Sequence, residues 1–426
     1  MKSLKKWKLI RNSLNKNNSM RQIVTHFTDN DLYTFTCQYY ILQTYPHAEV
    51  KYTFFDRNHR EYPEGFAALL REQIEGMKNV VITDEEIEFM KSKIYFLPDW
   101  YYTFLKGYRF NPNEVQINQD INSHLNIKIQ GKWYSTIMWE MPILSTISEL
   151  MHEINGDLEK VDYNVEWKKA YEKGVRALTN GLYLSDMGTR RRFSFENQRN
   201  VISGLVEASE NIMLSMGRFV GTSNVWFAKE FNITPIGTMS HQIISFEECV
   251  SGIFECNHNV MEKWGKVYGG DLGIYLFDCF GSNVFFNNLS KDMAKMFDGL
   301  RVDSGDEREE TEKIIEKYNS LGVDSKTKSV VYSNALTIDK AIELHTWLGG
   351  RMKDSYGIGT HLCADVTSTE TGEKYPYSNI VIKLTGMRLN DRREWHNCVK
   401  LSCDSGKMLG DTEKCVYLQK QINGYK

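Results

Sequence analysis

The sequence predicts an α/β fold, an irregular parallel α/β barrel with a second, smaller α/β sandwich domain formed from both chain ends. Two observations carry this expectation. From residue 182 onward, short apolar runs alternate with amphipathic helical stretches, and strands separated by helices build parallel sheets through right-handed crossovers. Seven such units suit closure into a barrel better than an open sheet. Before about residue 126, aromatic-rich, β-prone runs mix with polar helices instead. The resulting boundaries are a flexible basic extension at 1–19, a sandwich at 20–140 plus 378–426, and a barrel at 141–377.

Taken in order, Val50–Phe55 (VKYTFF) reads as a strand and Gly65–Lys78 as a helix. Around Trp139–Met151 the spacing is helical, with Pro142 suited to a first turn, and the segment reads as a core or interface helix. The strand-like runs are Leu182–Met187, Arg218–Gly221, Ile233–Gly237, Gly273–Phe277, Gly299–Val302, Ser329–Tyr332 and Ser355–Ile358. After the first run, Val201, Leu205, Ala208, Ile212 and Met216 recur at nearly 3.6 residues, one face of a helix. Thr337 caps a helix running through Leu348. No solenoid repeat or low-complexity linker divides the chain.

Composition narrows the function classes. A chain of 426 residues can bury a large core, and its 52 basic and 55 acidic residues leave a net charge of −3. Such a balance gives no global footprint for nucleic acid or an anionic membrane, so an anionic ligand needs a concentrated patch. The eight cysteines are too sparse for a disulfide scaffold, and none forms a Cys-x-x-Cys pair. His396, Cys398 and Cys403 have poor spacing for zinc and read as thiols in a reducing compartment. Residues Met1–Asn18 lack the apolar region of a secretory signal, and no stretch approaches the roughly twenty apolar residues of a membrane span. The expected setting is the cytoplasm, with no membrane or nucleic-acid partner.

In barrels of this kind catalytic groups sit on loops at the carboxyl ends of strands. Here those loops read SDMGTRRRFS, GTSN, GTMSHQ, DCFGSN, VDSGD, YSNALT and YGIGTH. Gly357, Gly359 and Thr360 make a GxGT turn whose backbone N–H groups could wrap a phosphate, or simply a tight turn. The GTSN loop, with Thr222 and Ser223, is a second candidate nest. The chain lacks GxxxxGK[ST] and a full GxGxxG, which argues against a Walker-type nucleotide site and a dinucleotide fingerprint. Arg190, Arg191 and Arg192 follow a Gly-Thr turn; in an extended segment at most two of them could face one ligand. Arg301 lies inside the apolar run GLRV and needs an anionic partner, either Asp303, Asp306 or a ligand. The acidic run from Asp303 to Asp306 could cap the next helix, bind ribose hydroxyls or assist Mg²⁺. His241, in a polar strand-end setting, is either a catalytic or phosphate-accepting group or a hydrogen-bonded structural histidine.

Together these segments resemble the nicotinate phosphoribosyltransferases, barrel-type (type II) phosphoribosyltransferases. The matching segments, in the family's order, are TDNDLY (Thr28–Tyr33), EMPILSTISE (Glu140–Glu149), GTRRR (Gly188–Arg192), GTSNVWFA (Gly221–Ala228), PIGTMSHQ (Pro235–Gln242), LRVDSGD (Leu300–Asp306), YSNALT, YGIGT and IVIKL (Ile380–Leu384). The resemblance implies that nicotinate and phosphoribosyl pyrophosphate give nicotinate mononucleotide and pyrophosphate, coupled to ATP hydrolysis through a phosphohistidine at His241, with Mg²⁺ as cofactor. It implies that Arg301 meets the nicotinate carboxylate or adjacent phosphate, with Arg190 in the same anion cluster. Tyr33 is expected to stack on the pyridine from the neighbouring subunit of a homodimer. Asp303 and Asp306 would lie near ribose and Mg²⁺, Gly357, Gly359 and Thr360 at the 5′-phosphate, and Lys383 in a salt bridge. No set of metal ligands is assigned. Related nicotinamide-using enzymes place Asp where this chain has Ser223, which favours nicotinate. Many relatives carry Glu where this chain has Gln242, which would orient His241 without adding charge. Nicotinamide or quinolinate as the base, or a non-catalytic sugar-phosphate-binding barrel, are the alternatives.

Overall fold

Two sheets organise the chain. The computed structural model describes residues 21–212, 216–401 and 408–424, so the extension expected at 1–19 lies outside the described residues. The N-terminal part contributes β1 (Glu49–Asp56), β2 (Val115–Gln119) and β3 (Leu125–Lys132). Seven short strands follow: β4 (Tyr183–Asp186), β5 (Arg218–Thr222), β6 (Thr234–Pro235), β7 (Ile274–Leu276), β8 (Gly299–Val302), β9 (Ser329–Tyr332) and β10 (Lys353–Ile358). The chain ends with β11 (Ile380–Arg388) and β12 (His396–Asn397).

The first sheet is antiparallel in the order β12-β11-β1-β3-β2, so the two ends of the chain are joined strand to strand. Along β3, Leu125, Ile127 and Ile129 point inward while the intervening residues are exposed, the period of two that a half-buried strand requires. On the β1–β11 ladder Lys383 lies opposite Thr53 and Leu384 opposite Tyr52. That register carries residues from both chain ends to one place.

Each of the seven predicted runs overlaps a strand of the second sheet, which is parallel in the order β6-β5-β4-β10-β9-β8-β7. The irregular parallel barrel that the sequence predicts is present, with an open seam: β6 and β7 are edges with no ladder between them among the described residues. The sheet is a curled, part-open barrel. The physical reason lies after β6, which is only two residues long, because Gly237 turns the chain with φ +148°. A Cβ on Gly237 would lie 3.3 Å from the backbone N of Tyr33, so an N-terminal segment occupies the seam. Side-chain bonds cross it, among them one from Thr238 Oγ1 to the Ile274 carbonyl at 3.0 Å.

Helices pack on this frame as the periodicity requires. Ser194 caps helix Phe195–Asn211 by accepting from Asn197 N–H at 3.0 Å, and Val201, Leu205 and Ala208 are buried. The helix stops at Asn211, so the predicted face ends at Ala208, and Met216 is 83% exposed. Thr337 caps Ile338–Leu348 as expected. Helix Glu140–Asn155 is buried nearly all round, the core helix that its composition suggests. Among the described residues, no helix is long and apolar enough to cross a membrane.

Candidate active site

A cleft of about 110 Å³ opens where the parallel sheet meets β11. Six predicted residues converge there: Tyr33, Arg190, His241, Arg301, Asp303 and Lys383. Tyr52 and Ile382, from the β1–β11 ladder, line it from the other side.

His241 is the first residue of helix His241–Ser251 rather than a loop residue. Its Nε2 lies 2.7 Å from Asp278 Oδ1 and 3.1 Å from Lys400 Nζ. The Asp278 contact is the shorter, and we assign Nε2–H as its donor, which leaves Nδ1 with a free lone pair. Burial lowers the imidazole from its ordinary 6.5 to about 4; Lys400 adds to this, while Asp278 opposes it. His241 is therefore neutral at pH 7. Burial alone would raise the Asp278 carboxyl, but His241 and Lys400 outweigh it and hold Asp278 ionised. Ser304 Oγ donates to the other Asp278 oxygen.

Arg301 is the one residue of β8 that is not fully buried. Its Nη2 donates to Asp303 Oδ1 at 2.7 Å and its Nε to Ser333 Oγ at 2.8 Å, and Ser333 in turn donates to Asp303 at 2.7 Å. The anionic partner that this arginine needs is thus Asp303. The triangle fixes the guanidinium plane and makes no bond through Nη1 to any described residue. Lys383 has neither hydrogen bond nor ion pair among the described residues, so the salt bridge expected for it is not formed. Burial brings its ammonium down to about 8, and Arg190 and Lys400 push the same way against Glu140. A cleft with Arg190, Lys383 and Lys400 close enough to repel one another favours an anion.

The other predicted residues divide between the cleft and the packing around it. The arginine triplet forms a 3₁₀ turn, Thr189–Arg191, rather than an extended run, and its side chains diverge. Arg190 enters the cleft, Arg191 Nε donates to the Ile380 carbonyl at 3.3 Å, and Arg192 is fully buried in a two-pronged pair with Asp29 at 2.6 and 2.8 Å. Thr222 Oγ1 donates to Asp186 at 2.7 Å and Ser223 Oγ to Asp31 at 2.8 Å, so neither hydroxyl lines the cleft. Burial raises Asp31 to about 6, and the Ser223 hydroxyl offsets part of that. Asp306 caps helix Glu307–Ser320, accepting from Arg308 and Glu309 N–H at 3.0 Å each, and is exposed. At Gly357 a Cβ would meet Met187 Sδ at 2.4 Å, and at Gly359 the Met187 carbonyl at 2.6 Å. These glycines admit the close approach of β10 to the end of β4, with Thr360 opening a four-residue helix beside them. Gln242 does not reach His241; its Oε1 accepts from Tyr52 Oη and, at 3.2 Å, from Trp133 Nε1. Tyr33 lines the cleft of its own chain, with Oη donating to Glu140 at 2.9 Å.

Sequence reasoning missed Asp278, Lys400 and Glu140 as site residues. Asp278 opens the strand-end loop DCFGSN and carried that positional signal, whereas Lys400 lies in no motif. Ligand atoms of His241, Asp278 and Asp303 lie within 4.8 Å of one another. A resident cation fits this set poorly, because Lys400 and Arg301 already place positive charge on the two carboxylates.

A curled parallel sheet with an acid–histidine–lysine cluster at its strand ends, and with Arg190, Arg301 and Lys383 in the same cleft, defines an α/β-barrel enzyme of the anion-handling kind. The nicotinate phosphoribosyltransferase (NAPRTase) family model matches residues 182–423, and the model of that family's N-terminal domain matches residues 28–148. A nicotinate phosphoribosyltransferase of Desulforapulum autotrophicum is 37% identical over 400 residues, covering 94% of this chain and 99% of the relative. One of Methanosarcina mazei is 36% identical over 382 residues, covering 85% and 90%. The crystal structure of nicotinate phosphoribosyltransferase from Porphyromonas gingivalis superposes with a TM-score of 0.89 at 36% identity, covering 94% of this chain and all of that one. The chain belongs to the nicotinate phosphoribosyltransferase family.

Proposed function

We propose that this protein joins nicotinate to phosphoribosyl pyrophosphate, releasing pyrophosphate and forming nicotinate mononucleotide for NAD biosynthesis, with ATP hydrolysis coupled through phosphorylation of His241. The observation that carries this reading is the convergence of neutral His241, its partners Asp278 and Lys400, and the cations Arg190, Arg301 and Lys383 in one cleft.

The chemistry follows from the groups present. As pyrophosphate leaves C1′, positive character develops on the ribose, and the pyridine nitrogen attacks C1′ from the opposite face. The protein holds the reactants in line and stabilises the departing charge. Arg301, held by Asp303 and Ser333, offers its remaining N–H groups to the nicotinate carboxylate or an adjacent phosphate, while Tyr33 supplies an aromatic face for the pyridine. In the ATP step Nδ1 of His241 attacks the γ-phosphorus as its bond to the oxygen of the departing ADP breaks; Asp278, which accepts from Nε2–H, stabilises the imidazolium that results, with Lys400 beside that pair. Mg²⁺ would arrive with the diphosphate rather than on a resident site, since the nearby carboxylates are already paired. Homodimerisation and a cytoplasmic setting belong to this proposal on the resemblance alone.

The test supplies the protein and phosphoribosyl pyrophosphate with nicotinate, nicotinamide or quinolinate in parallel. Pyrophosphate release with nicotinate alone is expected. Turnover of nicotinamide or quinolinate alone would overturn the choice of base, and sugar-phosphate binding without pyrophosphate release would support a non-catalytic barrel.

A further inference from the structure

Two cysteines outside the catalytic cluster face each other across the elements that build it. Cys249 lies on the helix that begins at His241, and Cys398 lies two residues before Lys400. Their sulfurs are 3.7 Å apart, and both are free thiols. Cys398 is fully buried and Cys249 is half-buried, so only Cys249 is open to a reagent from solvent. Lys414 Nζ lies 3.3 Å from Cys249 Sγ. Glu248 Oε2, at 3.5 Å, and the Asn397 carbonyl, at 3.3 Å, are hydrogen-bond acceptors for the thiol, and the Glu248 carboxylate can take its proton. The surroundings therefore offer one reactive thiol beside a cation, a proton acceptor and a second thiol within reach, the arrangement of an attacking and a resolving cysteine.

We propose that Cys249 and Cys398 are a reversible modification site, a dithiol that a peroxide converts to a disulfide fastening the Lys400 segment to the His241 helix. In the first step the Cys249 thiolate attacks one peroxide oxygen, the O–O bond breaks, and Cys249 becomes a sulfenic acid while the departing hydroxide takes up the proton that the thiol gave up and leaves as water. In the second the Cys398 sulfur attacks the Cys249 sulfur, the S–O bond breaks, and hydroxide departs with the Cys398 proton as a second water. Two thiols are oxidised and one peroxide is reduced to two waters. A disulfide requires the sulfurs to close to about 2.05 Å. The shift is transmitted along a segment already pinned to the same helix by Ser245 Oγ donating to the Val399 carbonyl at 2.8 Å. The geometry standing to change is the Lys400–His241 contact.

The site is tested on the full chain without reference to turnover. The protein is exposed to hydrogen peroxide, free thiols are alkylated, and the digest is mapped before and after a dithiol reductant. A peptide pair joining Cys249 to Cys398, lighter by two hydrogens and released by the reductant, is expected. In Cys398→Ser, Cys249 should instead accumulate as sulfenic and sulfinic acid, trapped by a sulfenic-acid reagent. Wild-type protein in which Cys249 overoxidises while Cys398 stays alkylatable, or in which Cys249 pairs with Cys403, would overturn the assignment. As the functional arm, oxidation should slow the reaction of wild type reversibly and leave Cys249→Ser unaffected; equal loss in both would show that the bond does not act on the site.

Discussion

Lys400 Nζ lies 3.1 Å from His241 Nε2, on the side chain that Asp278 grips at 2.7 Å. A lysine that follows β12 thus helps keep a histidine at the strand ends of the parallel sheet neutral. Removing it by Lys400→Met should raise the His241 midpoint from about 4, leaving it below 6.5 because burial, the larger cause, persists. Ring NMR titration reads this directly, and an unmoved midpoint would contradict it. The same shift has a stability consequence. Because the folded value lies below the ordinary one, the native state binds fewer protons between them. His241 therefore contributes stability that is fully present above about pH 6.5 and lost as pH falls through about 4, at most about 3 kcal/mol.

Arg301→Ala should raise KM for nicotinate about ten- to a hundredfold, the loss of a charge-assisted contact of about 1.5–3 kcal/mol. Ser333→Ala, which frees Nε while leaving the Asp303 pair, should give a smaller rise in the same direction. Steady-state kinetics with varied nicotinate checks both. An unchanged KM in Arg301→Ala would move the carboxylate site elsewhere.

The two glycines of YGIGT should differ. An added methyl at Gly357 meets the flexible end of Met187, which can swing away, whereas at Gly359 it meets the Met187 backbone carbonyl. Gly359→Ala should therefore lower stability by about 1–3 kcal/mol and Gly357→Ala by less. Thermal melts of both variants test the order, and a reversed order would sink this account of the turn.

Arg192 and Asp29 are both fully buried, so breaking their pair leaves an uncompensated charge. Arg192→Met should cost about 3–5 kcal/mol in urea unfolding. A loss of activity without a loss of stability would instead mark Arg192 as a cleft residue.

The sequence shows the seven strand runs because each is a local signal, an apolar run closed by a polar loop. The open seam is invisible there, since it depends on where the Leu32–Tyr33 segment comes to rest. The arginine triplet misleads for a similar reason: an extended run and a 3₁₀ turn read alike in sequence, yet the turn sends its three side chains to three places. Thr222 and Ser223 resemble an anion nest, but two buried carboxylates, Asp186 and Asp31, need their hydroxyls, and those partners lie 36 and 192 residues away. Arg301 was legible because a charge in an apolar run demands explanation. Lys400 was not, because nothing local distinguishes it from any surface lysine.

Labelling tests most directly whether His241 acts as a neutral nucleophile toward ATP. The protein is incubated with ATP labelled at the γ-phosphate and digested at neutral pH, where a phosphoramidate survives, and the label is located by peptide mapping. Acid-labile label on the His241 peptide, absent from His241→Ala, is the predicted result. Nicotinate mononucleotide formation coupled to ATP consumption with no label at His241, or with equal labelling of His241→Ala, would contradict it.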